Sequence, residues 1–265
     1  MPRRVTSFAN TTIKRLRSLR DKKHRAAEGL FMAEGLRICT EALDAGHVPK
    51  ILVQAEDDSH PLTAALAAAV TADGGEALEV PRALLAKISG KDNPQGVIGA
   101  FAPLDTRLER LNADDADIWI TCQELKDPGN LGTILRTADA VGAGGVIFLD
   151  RSCDPFSVEA VRASMGALFT VPLARTDAAA FFDWARDTMI VGTSLKATTD
   201  YQAPYYAAPT VVLMGNEQHG LPDDYEARCD ALVKLPMQGR ADSLNVAVSC
   251  AVMVYEVLNQ RRRRT

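Results

Sequence analysis

The chain alternates between short apolar runs and longer segments whose apolar residues recur at helical spacing. Runs such as residues 50–54 and 97–101 match strands, and stretches such as residues 60–72 match helices. Over residues 1–104 this pattern predicts a small α/β domain. Its predicted strands are residues 30–33, 50–54, 77–80 and 97–101, and its predicted helices are residues 10–19, 34–45, 60–72 and 81–88.

A charged segment at residues 105–115 is interpreted as an interdomain linker, after which the alternation resumes over residues 116–265. Strands that alternate with helices favour a mostly parallel sheet covered by helices. The predicted strands are residues 117–122, 145–149, 169–174, 188–193, 210–214 and 231–235, and the predicted helices are residues 130–141, 157–165, 178–186, 222–228 and 243–260.

The helix after the strand at 117–122 has one apolar face and one polar face. Asn130 is a candidate N-cap, and Pro128-Gly129 is expected to turn the chain just before it. Arg136 lies far from the apolar stripe, so its cationic side chain points away from the core. The stripe consists of Leu131, Leu135, Ala138 and Val141.

The last helix also carries an apolar stripe, which is predicted to be buried and to anchor the helix. The stripe consists of Leu244, Val248, Ala251, Tyr255 and Leu258. Ser243, at the predicted start of this helix, has two interpretations: a simple N-cap or a residue of a binding site.

Three loops of the second domain follow apolar strands and combine glycine with polar side chains: residues 127–130, 214–222 and 235–245. Ligands of open α/β sheets bind outside the carboxyl ends of the strands, so these loops are expected to converge. Glycine lets the backbone approach a ligand closely. A single loop of this kind most simply turns the chain, but three together predict a binding site.

Common nucleotide, metal and hydrolase motifs are absent. Residues 142–145 follow a helix, so they are not the dinucleotide-binding fingerprint, and no P-loop is present. The four histidines show no metal-ligand spacing, so no metal is expected, and His219 is most simply a solvent-facing loop residue. Ser243 lies in no G-x-S-x-G motif.

The composition is that of a globular protein, with 47% hydrophobic and 24% charged residues among 265. No apolar run is long enough to span a bilayer, and the first residues lack the apolar core of a secretory signal. The five cysteines form no CxxC pair, which favours buried thiols in a reducing, cytoplasmic compartment.

Positive charge is concentrated at the two ends of a chain whose net charge is −4. Such basic segments on an acidic body are a plausible phosphate-binding surface, with solvated tails as the equal alternative. The segment 261–264 is one of them. The candidate RNA contacts of the other are Arg15, Arg17, Lys22, Lys23 and Arg25.

The three loops together resemble the signature motifs of the SpoU (TrmH-like) RNA ribose methyltransferases of the SPOUT superfamily. The match covers residues 130–136, Gly215-Asn216-Glu217 with Gly220, and residues 236–245, in the family's order and spacing. The first 100 residues resemble the substrate-binding domain that often precedes this catalytic domain, with residues 95–97 at its closing segment.

The resemblance implies an α/β protein with a C-terminal trefoil knot, a homodimer, S-adenosylmethionine as methyl donor and an RNA 2′-hydroxyl as acceptor. The implied polar active-site set is Asn130, Arg136, Glu217, Ser243 and Asn245. The implied cofactor-binding set is Thr193, Leu195, Met214, Gly215, Gly220, Leu235, Met237, Ser243 and Leu244.

Two points qualify the resemblance. The family's second motif usually reads Gly-Asn-Glu-Gly, so Gln218 is expected to be strained if that position needs a positive φ. The family assigns Arg136 to deprotonation, but a guanidinium keeps its proton with a pKa above about 12, which favours an electrostatic clamp on phosphate and developing alkoxide.

Ribosomal RNA of the large subunit is the favoured substrate, with transfer RNA as the alternative. A non-catalytic RNA-binding protein and an NAD-dependent Rossmann oxidoreductase are the less favoured classes.

Overall fold

The computed structural model describes residues 2–263. The elements of residues 2–104 are β1 (Arg3–Arg4), α1 (Thr11–Ser18), α2 (Lys22–Glu28), β2 (Phe31–Glu34), α3 (Leu36–Asp44), β3 (Ile51–Ala55), α4 (Pro61–Ala72), β4 (Glu76–Val80), α5 (Arg82–Ser89) and β5 (Val97–Phe101). The predicted strands and helices of this region are confirmed within a few residues, and β1 and α2 are additional.

Residues 105–263 begin with two 3₁₀ turns, Leu108–Arg110 and Ala113–Asp115. The further elements are β6 (Ile118–Gln123), α6 (Pro128–Val141), β7 (Val146–Leu149), α7 (Val158–Ser164), α8 (Ala167–Thr170), β8 (Leu173–Thr176), α9 (Ala178–Trp184), β9 (Met189–Thr193), β10 (Thr199–Asp200), β11 (Thr210–Met214), α10 (Asp223–Glu226), β12 (Ala231–Lys234) and α11 (Val246–Arg262). The strand predicted at 169–174 begins later, at Leu173, because residues 167–170 form α8.

The chain forms two compact units. The first contains residues 2–104 together with Asp154–Thr170, and the second contains Asp105–Cys153 with residues 171–263. The first unit has a mixed five-stranded sheet in the order β1-β4-β3-β5-β2, with β5 antiparallel to both neighbours. The second has a seven-stranded sheet in the order β10-β12-β9-β11-β6-β7-β8, in which every pair is parallel.

The segment Asp154–Thr170 departs from the predicted domain limits, because it packs with the first unit rather than with the second. Phe156 lies against Phe31 with ring centroids 4.9 Å apart, and Phe169 lies 4.9 Å from Phe101. Arg25 pairs with Asp154 at 2.7 Å. Aromatic side chains far apart in the sequence therefore complete one core.

The predicted linker at 105–115 is not a free connection, since it packs within the second unit. Leu108 is buried in the core of that unit. The indole N–H of Trp119 donates to the Ala113 carbonyl at 2.9 Å, and that of Trp184 donates to the Leu111 carbonyl at 2.7 Å. Indole N–H groups that are withdrawn from solvent need acceptors, and this segment provides them.

Arg25 is buried, and the interpretation of this residue as an RNA contact is wrong. Its guanidinium donates to the carbonyls of Leu19 and Arg20, each at 3.0 Å, and to Asp154. It thereby satisfies carbonyl groups that the end of α1 leaves free. No helix within residues 2–263 is long and apolar enough to cross a membrane.

Candidate active site

The helix that follows the first loop begins earlier than predicted. The N-cap of α6 is Asp127, whose carboxylate accepts from the backbone N–H of Asn130 at 2.7 Å, and Pro128 occupies the first turn. Proline is favoured there, so the helix begins before Asn130. The predicted apolar stripe of this helix is buried, as expected. The consequence is that the Asn130 side chain is available for other contacts.

Asn130 joins the three loops. Its Nδ2 donates to Glu217 Oε1 at 3.4 Å, and its Oδ1 accepts from Asn245 Nδ2 at 2.9 Å. Glu217 also accepts from the backbone N–H groups of Lys126 and Asp127, at 3.3 to 3.4 Å. Three of the predicted polar residues are therefore brought together by hydrogen bonds at the carboxyl end of the sheet.

Asn245 begins α11, because its Oδ1 accepts from the N–H groups of Ala247 (2.9 Å) and Val248 (3.3 Å). Ser243 is therefore not the N-cap that was one of its two interpretations. It lies upstream of the helix, exposed, and its hydroxyl donates to Asp242 at 3.3 Å. Asn245 therefore caps the first helical turn and links the helix to Asn130.

The second loop makes a tight turn from Gly215 to Gly220. A Cβ at Gly215 would lie 2.3 Å from the carbonyl carbon of Gly220, so no other residue fits there. Gly220 has φ +70°, whereas Gln218 is not among the positive-φ residues that the structure describes. The expected strain at Gln218 is therefore absent, because the glycine requirement of the turn falls two residues later.

A cavity of about 390 Å³ lies beside this turn. All nine residues of the predicted cofactor set line it: Thr193, Leu195, Met214, Gly215, Gly220, Leu235, Met237, Ser243 and Leu244. Its volume falls within the range of roughly 300–1,000 Å³ typical of small-molecule sites. Apolar side chains with one glycine-lined wall suit a nucleoside and a thioether-like chain.

The prediction missed several polar residues of the cavity. Glu226 accepts from the Ser194 hydroxyl at 2.6 Å and lies 3.5 Å from Lys196 Nζ. Lys196 also pairs with Asp223, whose hydrogen bond raises the pKa of Lys196. Glu226 lies on α10, four residues after the second loop, and no motif pattern identified it. Asn216 and His219 also line the cavity, and their place in the second loop was the signal that they belong to it.

Arg136 stands apart from this arrangement. Its side chain is exposed, does not line the cavity, and forms no hydrogen bond or ion pair with another of residues 2–263. The prediction that it points away from the core is confirmed, but one chain alone does not bring it into the cavity.

The prediction that this apolar stripe of α11 is buried is wrong, because three of its five residues are exposed. Leu244, Val248 and Tyr255 are exposed by 40%, 48% and 45%, and Ala251 and Leu258 are half-buried. A second apolar set faces the core instead: Val246, Ala247, Cys250, Met253, Val254 and Val257. The helix has two apolar faces. The periodicity of the sequence does not indicate which of them packs against the rest of the same chain.

Cysteines near the site are not reactive thiolates. Burial raises the pKa of Cys122 well above its usual value and that of Cys153 to about 11. Cys250 is likewise raised to about 12 by burial. Within residues 2–263 no group of three or more histidine, cysteine or acidic side chains is arranged to hold a metal ion.

Comparisons with known proteins agree with this geometry. The SpoU rRNA methylase family matches residues 117–255, and an MRM3-like substrate-binding domain matches residues 10–99. The chain belongs to the SpoU rRNA methylase family. The resemblance predicted from the three loops is thereby confirmed.

Individual relatives extend over almost the whole chain. A 23S rRNA (uridine(2479)-2′-O)-methyltransferase of Streptomyces viridochromogenes is 29% identical over 98% of this chain and 93% of its own length. The crystal structure of an AdoMet-bound rRNA methyltransferase from Sinorhizobium meliloti has a TM-score of 0.91 and 41% identity, covering 99% of this chain and 98% of that one. The SpoU methyltransferase AviRb of S. viridochromogenes, in complex with AdoMet, has a TM-score of 0.83 and 26% identity, covering 96% and 98%.

Proposed function

We propose that this SpoU-family enzyme transfers a methyl group from S-adenosylmethionine to a ribose 2′-hydroxyl of ribosomal RNA, in the large subunit. The main observation in support is the cavity lined by all nine predicted cofactor residues, next to the hydrogen-bonded set Asn130, Glu217 and Asn245. The relatives that act on 23S rRNA support ribosomal over transfer RNA.

The residues of the cavity fit the cofactor. Leu195, Met214, Leu235 and Leu244 provide apolar walls, and Gly215 lets the turn close beside them, because a Cβ there would meet the backbone of Gly220. The bound cofactor supplies an activated sulfonium methyl group. The protein therefore has to align the acceptor oxygen and accommodate one proton.

Amide groups are suited to orienting the acceptor. An amide NH₂ has two donors, and Asn130 and Asn245 each use one of them within the set that the structure describes. The remaining N–H groups are available to a ribose oxygen. Methyl transfer would form the O–CH₃ bond while the S–CH₃ bond of the sulfonium breaks and leaves S-adenosylhomocysteine, and the 2′-hydroxyl proton would go to an RNA phosphate oxygen or to water.

Arg136 is assigned to the RNA phosphate and the developing alkoxide. A guanidinium presents a planar fork of donors that matches phosphate, which a lysine ammonium does not. We expect Arg136→Lys to lower kcat by about a hundredfold, with the affinity for S-adenosylhomocysteine unchanged, since the residue lies outside the cavity. Methyl-transfer kinetics with calorimetric titration tests this, and near-normal turnover would refute the role.

The active enzyme is proposed to be a homodimer formed through the exposed stripe of α11. Large apolar side chains grouped on one face mark association sites. Contact there would place a second chain near Ser243–Asn245, and the isolation of Arg136 supports a site completed by that chain. Sedimentation of the protein and of Val248→Glu should give a dimer and a monomer respectively, and a monomeric wild type would exclude the proposal.

RNA contacts of the first unit are assigned to Arg17, Lys22 and Lys23, which are exposed and form no ion pair within residues 2–263. Arg15 is also exposed but pairs with Glu28 at 2.6 Å. In the segment 261–264, Arg261 donates to the Tyr206 carbonyl and to Thr210, which gives it a structural role, and Arg264 lies outside the described residues. Replacing Arg17, Lys22 and Lys23 together by Ser should weaken RNA binding and flatten its salt dependence.

Two further properties are proposed. The second unit contains the trefoil knot that the resemblance implies, in keeping with its likeness to the SpoU structures, and a crystallographic trace of the chain would test it. The protein acts in the cytoplasm, which its free cysteines support, and fractionation of cells would test the location.

The deciding experiment is methyl transfer from labelled S-adenosylmethionine to purified 23S rRNA, 16S rRNA and transfer RNA, followed by mapping of the 2′-O-methylated nucleotide. Label in 23S rRNA alone is the expected result. Label only in transfer RNA would overturn the substrate, and binding of RNA without transfer would favour a non-catalytic protein. Titration with NAD distinguishes the oxidoreductase, for which no binding is expected.

A further inference from the structure

Asn216 connects the second loop to the segment between β6 and the first loop, through both ends of its amide. Its Oδ1 accepts from the backbone N–H groups of Gln218 (2.9 Å) and His219 (3.2 Å), which closes the turn after β11. Its Nδ2 donates to the carbonyl of Glu124 at 3.0 Å. One end accepts and the other donates, so a carboxylate of the same shape cannot replace it.

The carbonyl that Asn216 holds belongs to an unusual residue. Glu124 has φ +47°, in the left-handed region that disfavours residues with a Cβ. It directly follows β6 and precedes Lys126 and Asp127, the residues whose N–H groups donate to Glu217. The conformation of Glu124 therefore decides where those N–H groups point. A disfavoured conformation persists only where its surroundings stabilise it.

We propose that Asn216 is a positioning residue for methyl transfer. By bonding to Glu124 it keeps the chain after β6 in its left-handed turn, which orients the N–H groups that hold Glu217. Glu217 in turn holds Asn130 beside Asn245. Asn216 acts through the backbone of another loop and does not itself need to touch the RNA. The inference rests on the proposed methyl-transfer function.

Asn216→Asp distinguishes the two sets of hydrogen bonds. The oxygen that accepts from the turn is kept, whereas the N–H that donates to the Glu124 carbonyl is lost. We expect kcat to fall about tenfold, as for one lost hydrogen bond acting on the reacting groups. The KM for S-adenosylmethionine should stay within about twofold, since the turn and Gly215 remain. If the variant were instead partly unfolded, the apparent kcat and the number of cofactor molecules bound per protein would fall together.

Rescue provides the sharper test. Glycine adopts the left-handed conformation without penalty, so adding Glu124→Gly to Asn216→Asp should restore most of the lost kcat. The matched control is Glu124→Ala, which removes the same side chain and its ion pair with Lys126 but keeps the Cβ. It should restore nothing.

Equal rescue by Gly and Ala, or an unchanged kcat in Asn216→Asp, would overturn the inference. If Asn216→Asp does not fold, Asn216→Ser is used with the same pair, because its hydroxyl can still close the turn. Failure of the proposed function is distinguishable, since the wild type itself would then transfer no methyl group to RNA.

Discussion

Each unit of the protein uses one glutamate to organise a loop, but the two glutamates are held very differently. In the first unit the Glu34 side chain is only 7% exposed and accepts from Ser89 Oγ and the Gln95 N–H, each at 2.9 Å, and from the ammonium of Lys91. In the second unit Glu217 is exposed, and its hydrogen bonds to Lys126, Asp127 and Asn130 measure 3.3 to 3.4 Å.

The difference separates a structural carboxylate from one that serves a reaction. Glu34 has short bonds from three donors and little access to solvent, so it stabilises the loop at residues 90–96. Glu217 has long bonds and remains accessible, and the amides next to it keep free donors. Loose, incompletely saturated polar groups beside a cavity are where a substrate can add contacts.

Removal of Glu217 should have the largest effect on activity. We expect Glu217→Ala to lower kcat by about a hundredfold or more, since Asn130 loses the group that orients it. The free energy of unfolding should fall by only about 1 kcal/mol, because water replaces the exposed carboxylate. Kinetics and urea unfolding would be measured together, with the exposed Glu109→Ala as control. Loss of stability without loss of kcat would reverse the comparison.

Glu34→Ala should show the opposite pattern. We expect the free energy of unfolding to fall by about 2–3 kcal/mol, because Lys91, Ser89 and the Gln95 N–H lose a shared buried partner. At saturating RNA the methyl-transfer step should be unaffected. Removal of the exposed Glu28, which pairs with Arg15, is the control and should change stability by less than about 1 kcal/mol. Equal losses in the two variants would show that burial does not distinguish them.

Acid should remove the contribution of Glu34 to stability. Burial by itself raises the pKa of Glu34, but hydrogen bonds from Lys91, Gln95 and Ser89 outweigh it and lower the pKa below the usual value. A carboxyl whose folded pKa is lowered stabilises the protein above its unfolded pKa, and this contribution is lost as pH falls through the folded pKa. Unfolding measured from neutral pH into the acid range should therefore show a weaker pH dependence in Glu34→Gln. An identical dependence in both proteins would contradict this account.

The smallest effect is expected at Gln218. Gln218→Gly restores the usual residue of the family's motif, yet the left-handed position of the turn is Gly220. We expect stability to change by no more than about 0.5 kcal/mol and kcat to stay within about twofold. A large gain in activity would mean that the turn is strained at Gln218 after all. Thermal unfolding and steady-state kinetics are sufficient for the comparison.

Local patterns predicted most of the elements, and the resemblance of the loops to the family predicted residues that line the cavity. Strands such as β5 and β11 were predicted within a residue, because short apolar runs require burial on both faces. The nine cofactor positions were found through resemblance of the loops, and they lie together because parallel strands end at one edge of the sheet. The predicted helix start at Asn130 was wrong by a few residues, because Asp127 is the N-cap, although the resemblance had already placed Asn130 in the active-site set.

By itself, the sequence determined most of the strands and helices, which loops carry polar groups, and that the last helix has an apolar stripe. Only the tertiary structure decided that Arg25 is buried, that Asp154–Thr170 completes the first core, and that Leu244, Val248 and Tyr255 stay exposed. Periodicity specifies a face of an element, because it reflects local geometry. The partner of that face depends on contacts between residues far apart in the chain, and no local pattern contains that information.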